Sequence, residues 1–153
     1  MADGHKTPSE LVDYMIKTGI DKATKPLFKL ILLGIFGGAF IALGGAGNII
    51  SGSTLVKTDP GLAKFVGACV FPVGLIMVVI LGSELFTSNC LLTVAYTNKK
   101  ITFIQLIRNI ITVYLFNYVG SFIVSYITVK GGSFNSDSLA YLQDIATHKV
   151  HTT

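Results

Sequence analysis

Leu75-Ile76-Met77-Val78-Val79-Ile80-Leu81-Gly82-Ser83-Glu84-Leu85-Phe86-Thr87-Ser88-Asn89 begins as a membrane span and then changes character. Apolar residues to Leu81 give way to small and polar ones, and Glu84 is the only acidic residue between Asp59 and Asp137. A carboxylate at bilayer depth costs about 2.5–3.5 kcal/mol on insertion scales, so Glu84 requires partners. Gly82, Ser83, Thr87, Ser88 and Asn89 disfavour unbroken helix. The stretch therefore predicts two part-helices joined by a non-helical loop at residues 84–88, buried in protein or lining a cavity. The competing reading is a plain hairpin with Glu84 at the membrane surface. Against it, Cys90-Leu91-Leu92-Thr93-Val94 continues apolar for too little to cross again.

The same stretch sits inside 34 residues, 65–98, whose only charge is Glu84. As one helix they would reach about 50 Å, well beyond a hydrocarbon layer of about 30 Å. The segment must tilt strongly, break, or run past the bilayer. On either side, 27 uncharged residues (30–56) and 21 (109–129) each suit a single crossing, which takes about 20 apolar residues. Across all 153 residues the hydrophobic share is 51% and the charged share 13%, about half the charge of a soluble domain. Mean hydropathy is +0.66, which excludes a disordered tail. The net charge of +4 comes without a dense basic run, so no nucleic-acid partner is implied. Cys69 and Cys90 lie in apolar runs and form neither a disulfide framework nor a Cys-x-x-Cys clip. The fold class is an all-α membrane protein with three transmembrane spans, the second broken by a loop. Its solvent is the lipid bilayer.

Lysine and arginine near the span ends set the expected orientation. An inward N-terminus collects Lys17, Lys22, Lys25, Lys29, Lys99, Lys100 and Arg108 inside, against Lys57, Lys64 and Lys130 outside, with Lys149 further along. The chain divides into a cytoplasmic amphipathic helix (1–26), a three-span membrane repeat (27–129), and an extracytoplasmic loop with a re-entrant segment (130–153). The first 26 residues are polar and hold no apolar core of a cleavable signal. Thr7-Pro8-Ser9-Glu10 fits a capping box, Leu11, Tyr14 and Met15 recur at helical spacing, and Gly19 is the expected stop. Such a helix lies on the membrane surface or packs on its own protein.

Other residues exceed what crossing a membrane demands. Gly34, Gly37, Gly38, Gly44, Gly45 and Gly47 allow close approach of another helix or leave space for a pore, and glycine content alone does not separate the two. Asn109, Asn117 and Gly120 fall on one stripe of the third span, which should face protein and form interhelical hydrogen bonds. After a loop at 131–137, residues 138–148 suit a short helix. His148 and His151 have metal spacing but no third ligand, and His5 stands alone in a polar tail. No nucleophile–base pair, phosphate-cradling loop or paired carboxylate occurs, so neither catalysis nor a cofactor is expected. Apolar spans with one broken helix suit passage of a small solute.

Glu84-Leu85-Phe86-Thr87-Ser88 after a long apolar helix, Gly37-Gly38 and Gly44-Gly45 in the span before, and Asn109, Val113-Tyr114, Asn117 and Gly120 in the span after resemble the formate/nitrite transporter family. The likeness runs over essentially the whole chain and is greatest to members that pass hydrosulfide. It implies homopentamers with a pore in each protomer, on an aquaporin-like inverted-repeat fold of two three-span halves. It implies conduction of small monovalent anions between apolar constrictions, hydrosulfide first and otherwise formate or nitrite. By the same resemblance, Phe71 and Leu75 face the pore before the break. Leu85, Phe86 and Thr87 belong to the loop that closes one constriction and offers a hydroxyl to the anion. Lys149 raises the positive potential near the pore centre, and Glu84 stabilises the loop.

Members of the family carry a second broken helix with a central histidine, which none of His5, His148 or His151 matches. The chain is therefore expected to be an N-terminal half that needs a C-terminal half to complete each pore. Two rivals predict other features. A neutral-solute channel of aquaporin type would carry polar selectivity residues in place of Leu85, Phe86 and Lys149. A non-conducting anchor subunit would show a plain hairpin instead of a broken span.

Overall fold

In the computed structural model, which describes residues 7–151, helix α1 (Pro8–Ala23) starts from the Thr7 cap. The Thr7 hydroxyl accepts from the Glu10 N–H at 3.4 Å, and the Glu10 carboxylate accepts from the Thr7 N–H at 2.7 Å. Gly19 does not stop this helix. It lies buried inside α1, where a Cβ would come within 2.8 Å of the Ala95 Cβ, so the missing side chain serves close packing and the helix runs on to Ala23. His5 lies outside the described residues.

After Pro26 the chain forms α2 (Leu27–Ser53), and a short 3₁₀ turn (Leu55–Lys57) leads to Asp59. The Asp59 carboxylate accepts from the Gly61 and Leu62 N–H groups at 3.0 Å each and opens α3 (Pro60–Val70). Pro72 has no N–H to continue the ladder, so the helix is interrupted at Phe71 and resumes as α4 (Pro72–Ile80). Residues 81–85 are non-helical; α5 (Phe86–Asn89) and α6 (Leu92–Thr97) follow. A second capping box, Thr102 with Gln105, opens α7 (Phe103–Lys130). Past Gly132, the chain ends its described part with α8 (Ser136–His151).

Every regular element among the described residues is helical, and three stretches are long and apolar enough to cross a membrane: Leu27–Ser53, Pro60–Ile80 and Phe103–Lys130. Each overlaps one of the three gaps between charge clusters, the second only in part, since that stretch ends at Ile80 and the gap runs to Asn98. The break itself is displaced from the expected loop at 84–88. It falls at residues 81–85, and Phe86 to Asn89 form a helical turn. Gly82 takes φ +64°, a left-handed conformation that glycine adopts without strain, and this turns the chain out of α4.

The spine of the fold is the seam between α2 and α7. A Cβ on Gly38 would overlap the Asn117 carbonyl, and one on Gly120 would overlap the Ile35 carbonyl. Gly44 and Gly74 bring α2 against the α3–α4 junction in the same way, against Phe71 and Phe40 carbonyls respectively. Most of the span-one glycines are thus packing residues, while Gly45 faces open space. At one end of the seam α1 packs on α6; at the other, α8 docks on α2 through the buried Ser53 and Ser138 hydroxyls, 3.0 Å apart.

Candidate functional site

Leaving α4, the backbone loses its helical partners where Ser83 and Glu84 are buried in protein and water cannot replace them. The structure supplies substitutes one by one. The Ser83 N–H donates back to the Val78 carbonyl at 3.0 Å, and the Glu84 N–H donates across to the Leu33 carbonyl of α2 at 3.1 Å. Asn117 of α7 takes the next two groups: its Nδ2 donates to the Glu84 carbonyl at 2.9 Å, and its Oδ1 accepts from the Phe86 N–H at 2.8 Å. The same Nδ2 also donates to the Gly34 carbonyl at 2.7 Å. Gly37 leaves room on the α2 side, where a Cβ would overlap the Glu84 carbonyl.

The Glu84 carboxylate is buried, at 1% exposure, and one oxygen meets a cation from the last turn of α1 while the other meets one from the connection that follows. Lys22 Nζ lies 2.8 Å from Oε2 and Lys25 Nζ 2.5 Å from Oε1. Lys22 also donates to Asn89 Oδ1 at 2.7 Å; Asn89 donates to Asn109 Oδ1 at 2.8 Å; and Asn109 donates to the Lys22 carbonyl at 2.9 Å. Arg108 closes the cluster by donating to the Ala23 and Lys25 carbonyls at 3.2 and 2.6 Å. Among the described residues, no buried side-chain nitrogen or oxygen is left without a partner. Three cations against one carboxylate leave the cluster net positive.

The structure thus brings Glu84, Leu85, Phe86 and Thr87 together on one short braced segment. Leu85 and Phe86 are half-buried, Phe86 meets the Tyr114 ring edge-on with centroids 5.2 Å apart, and Thr87 stands exposed on α5. Phe71 sits at the α3–α4 junction and Leu75 one turn later, both exposed. Lys149 lies elsewhere, exposed on the last turn of α8. That helix docks on α2 through the Ser138–Ser53 hydroxyl contact, 11 residues before Lys149. No group of three metal-ligating side chains occurs among the described residues, His148 and His151 included.

Sequence reasoning required partners for Glu84 without finding them. The available signal was the lysine pair Lys22 and Lys25, three residues apart just before Pro26, the cations that lead into the first span. Arg108, at the start of the third span, carries no sequence signal that links it to the site it braces.

The family model described as formate/nitrite transporter matches residues 9–153. The chain is 43% identical over 150 residues to the formate channel FocA of Haemophilus influenzae, covering 96% of this chain and 53% of that protein. It is 36% identical to the formate channel BtFdhC of Bacillus thuringiensis, over 96% of this chain and 57% of the relative. It is 38% identical to a probable formate transporter of Methanothermobacter thermautotrophicus, over 90% and 52%. The chain spans about half the length of these curated relatives. A broken second span, braced by a third span whose asparagines and glycine face inward, together with a match over nearly every residue, places it: the chain belongs to the formate/nitrite transporter family.

Proposed function

We propose that the protein passes small monovalent anions, formate foremost, through a membrane pore narrowed by Leu85 and Phe86. The observation that carries this reading is the braced break at residues 81–85, which fixes Leu85 and, on the turn that follows, Phe86 and the Thr87 hydroxyl directly after the second apolar stretch. Apolar rings gate by excluding water, and the hydroxyl of Thr87 offers the anion a hydrogen bond once it has shed its own. Phe71 and Leu75 line the approach on the adjoining half-span. The names of the relatives favour formate over the hydrosulfide that the sequence wording suggested, with nitrite as a further substrate. The complete pore takes a C-terminal half as well, because an inverted-repeat pore is built from both halves. The assembly is a homopentamer with an inward N-terminus, and the excess of Lys and Arg at the α1 end supports that orientation. Lys149, in the segment after the third span, adds the positive potential near the pore centre that the resemblance implies.

The test is anion flux into liposomes reconstituted with the protein carrying this sequence, with formate, nitrite and hydrosulfide compared at equal protein. Formate flux well above empty liposomes is expected. Phe86→Ala should raise leak while assembly is retained. Unchanged flux in a properly assembled Phe86→Ala protein removes Phe86 from the constriction; a fall in stability of about 3–5 kcal/mol without a flux change assigns it to packing.

A further inference from the structure

We infer that Asn117 is a positioning residue of the constriction, fixing the direction of Leu85 and thereby the size of anion that passes. The inference rests on the pore reading above and deepens it. Asn117 takes the Glu84 carbonyl on one side of Leu85 and the Phe86 N–H on the other, at 2.9 and 2.8 Å. That is the pairing a neighbouring β-strand would give an extended residue, and Leu85 is extended, with φ −120° and ψ 132°. The second Nδ2 hydrogen bond, 2.7 Å to the Gly34 carbonyl, ties the amide to α2, so Leu85 is referenced to two spans at once.

Asparagine is suited to this task by its inventory of groups. The site needs one acceptor and two donors on a single short planar group. Aspartate keeps the acceptor and loses both donors; leucine fills the volume and loses all three; serine has too short a reach and one donor. The amide also has only one orientation that satisfies its partners, since Oδ1 faces an N–H while Nδ2 faces two carbonyls. Gly37 presses the loop from the α2 side, so the backbone at Glu84 is held from both directions. Loss of the amide frees the peptide groups on either side of Leu85 to turn, and the side chain at the narrow point turns with them.

The test compares the protein with Asn117→Asp, Asn117→Leu, Leu85→Ala and Val113→Ala. Val113 is fully buried on the same α2–α7 seam and touches none of the loop's hydrogen bonds, so Val113→Ala reports the effect of a looser seam alone. The readout is the ratio of acetate to formate flux in liposomes at equal assembled protein, with unfolding temperature in detergent recorded for each variant. The expected result is a ratio raised about tenfold in both Asn117 variants, equivalent to about 1.4 kcal/mol off the barrier for the bulkier anion. Val113→Ala should lower the unfolding temperature and leave the ratio unchanged. If Leu85→Ala raises the ratio and the Asn117 variants do not, the positioning role is overturned while the pore reading stands. If Leu85→Ala also leaves the ratio unchanged, the pore reading fails. Failure of both Asn117 variants to assemble assigns the residue to folding alone and likewise overturns the inference.

Discussion

The α2–α7 seam and the break at residues 81–85 solve one problem in opposite ways. Along the seam the backbone groups are already paired inside each helix, so apart from the Asn117 amide on the Gly34 carbonyl the two meet without polar side chains, and glycine lets the main chains touch. At the break the helix no longer supplies partners. An amide from α7, a carbonyl from α2, and two lysines, one on the last turn of α1 and one just after it, replace it. The seam depends on the absence of side chains, the break on the presence of particular ones. The two should therefore fail differently: the seam through any added carbon, the break through lost hydrogen-bonding groups or charge.

The largest effect is expected on the seam. Gly120→Ala sets a methyl group on the Ile35 carbonyl, and helix backbones cannot swing aside as a flexible side-chain tip can. The loss should reach or exceed the upper end of ordinary overpacking, about 3 kcal/mol, and show as lost monodisperse protein in detergent. Gly45→Ala, in the same glycine-rich helix but facing open space, should be neutral or stabilise by about 0.5–1 kcal/mol through helix propensity. Equal losses at the two positions would break the comparison, because the seam would then not depend on contact at Gly120.

Next comes the charge at the break. Replacing both lysines by methionine (Lys22→Met with Lys25→Met) strands a carboxylate of 1% exposure; because the lysine side chains are 19% and 23% exposed, the cost should stay at the low end for a broken buried pair, about 3 kcal/mol. Adding Glu84→Gln removes the stranded charge and should recover a large part of that loss. Chemical unfolding of the double and triple variants checks it. A triple variant no better than the double would mean that Lys22 acts mainly through Asn89, to which it also donates.

How far each region could be read in the sequence follows the same division. Charge-free gaps locate the spans, and capping boxes at Thr7 and Thr102 locate helix starts, because both signals are local. Glycine spacing in span one anticipates a seam. The expected position lies slightly late because Thr87, Ser88 and Asn89 carry polar side chains; once the Phe86 N–H finds Asn117, the chain can turn helical again. Gly19 misled for a related reason: glycine signals a helix end or a close contact equally well, and only Ala95, 76 residues on, decides. The partners of Glu84 lie 62 and 59 residues away, beyond any spacing rule. Sequence shows that the carboxylate needs partners; only the fold shows that they are Lys22 and Lys25.

The smallest effect is expected at the far end of the molecule, and it sharpens the contrast because the chemistry is the same. Lys57 Nζ lies 2.6 Å from Asp137 Oδ1, as close as the Glu84 pairs, yet the two side chains are 60% and 36% exposed. Water already solvates both partners, so forming the pair exchanges one good environment for another. Lys57→Ala should therefore cost no more than about 1 kcal/mol. Asp137→Asn should cost slightly more, because Asp137 also lies in the first turn of α8, where a negative charge gains about 0.3–1 kcal/mol from the helix dipole. Both losses should shrink as salt rises, since exposed charges are screened over about 10 Å at 0.1 M ionic strength. The loss at the buried Glu84 pairs should not. Unfolding temperatures of the three sets of variants at low and high salt give the comparison directly. A Lys57→Ala loss as large as that of the paired lysine variant, or one indifferent to salt, would show that distance and not burial sets the worth of an ion pair in this fold.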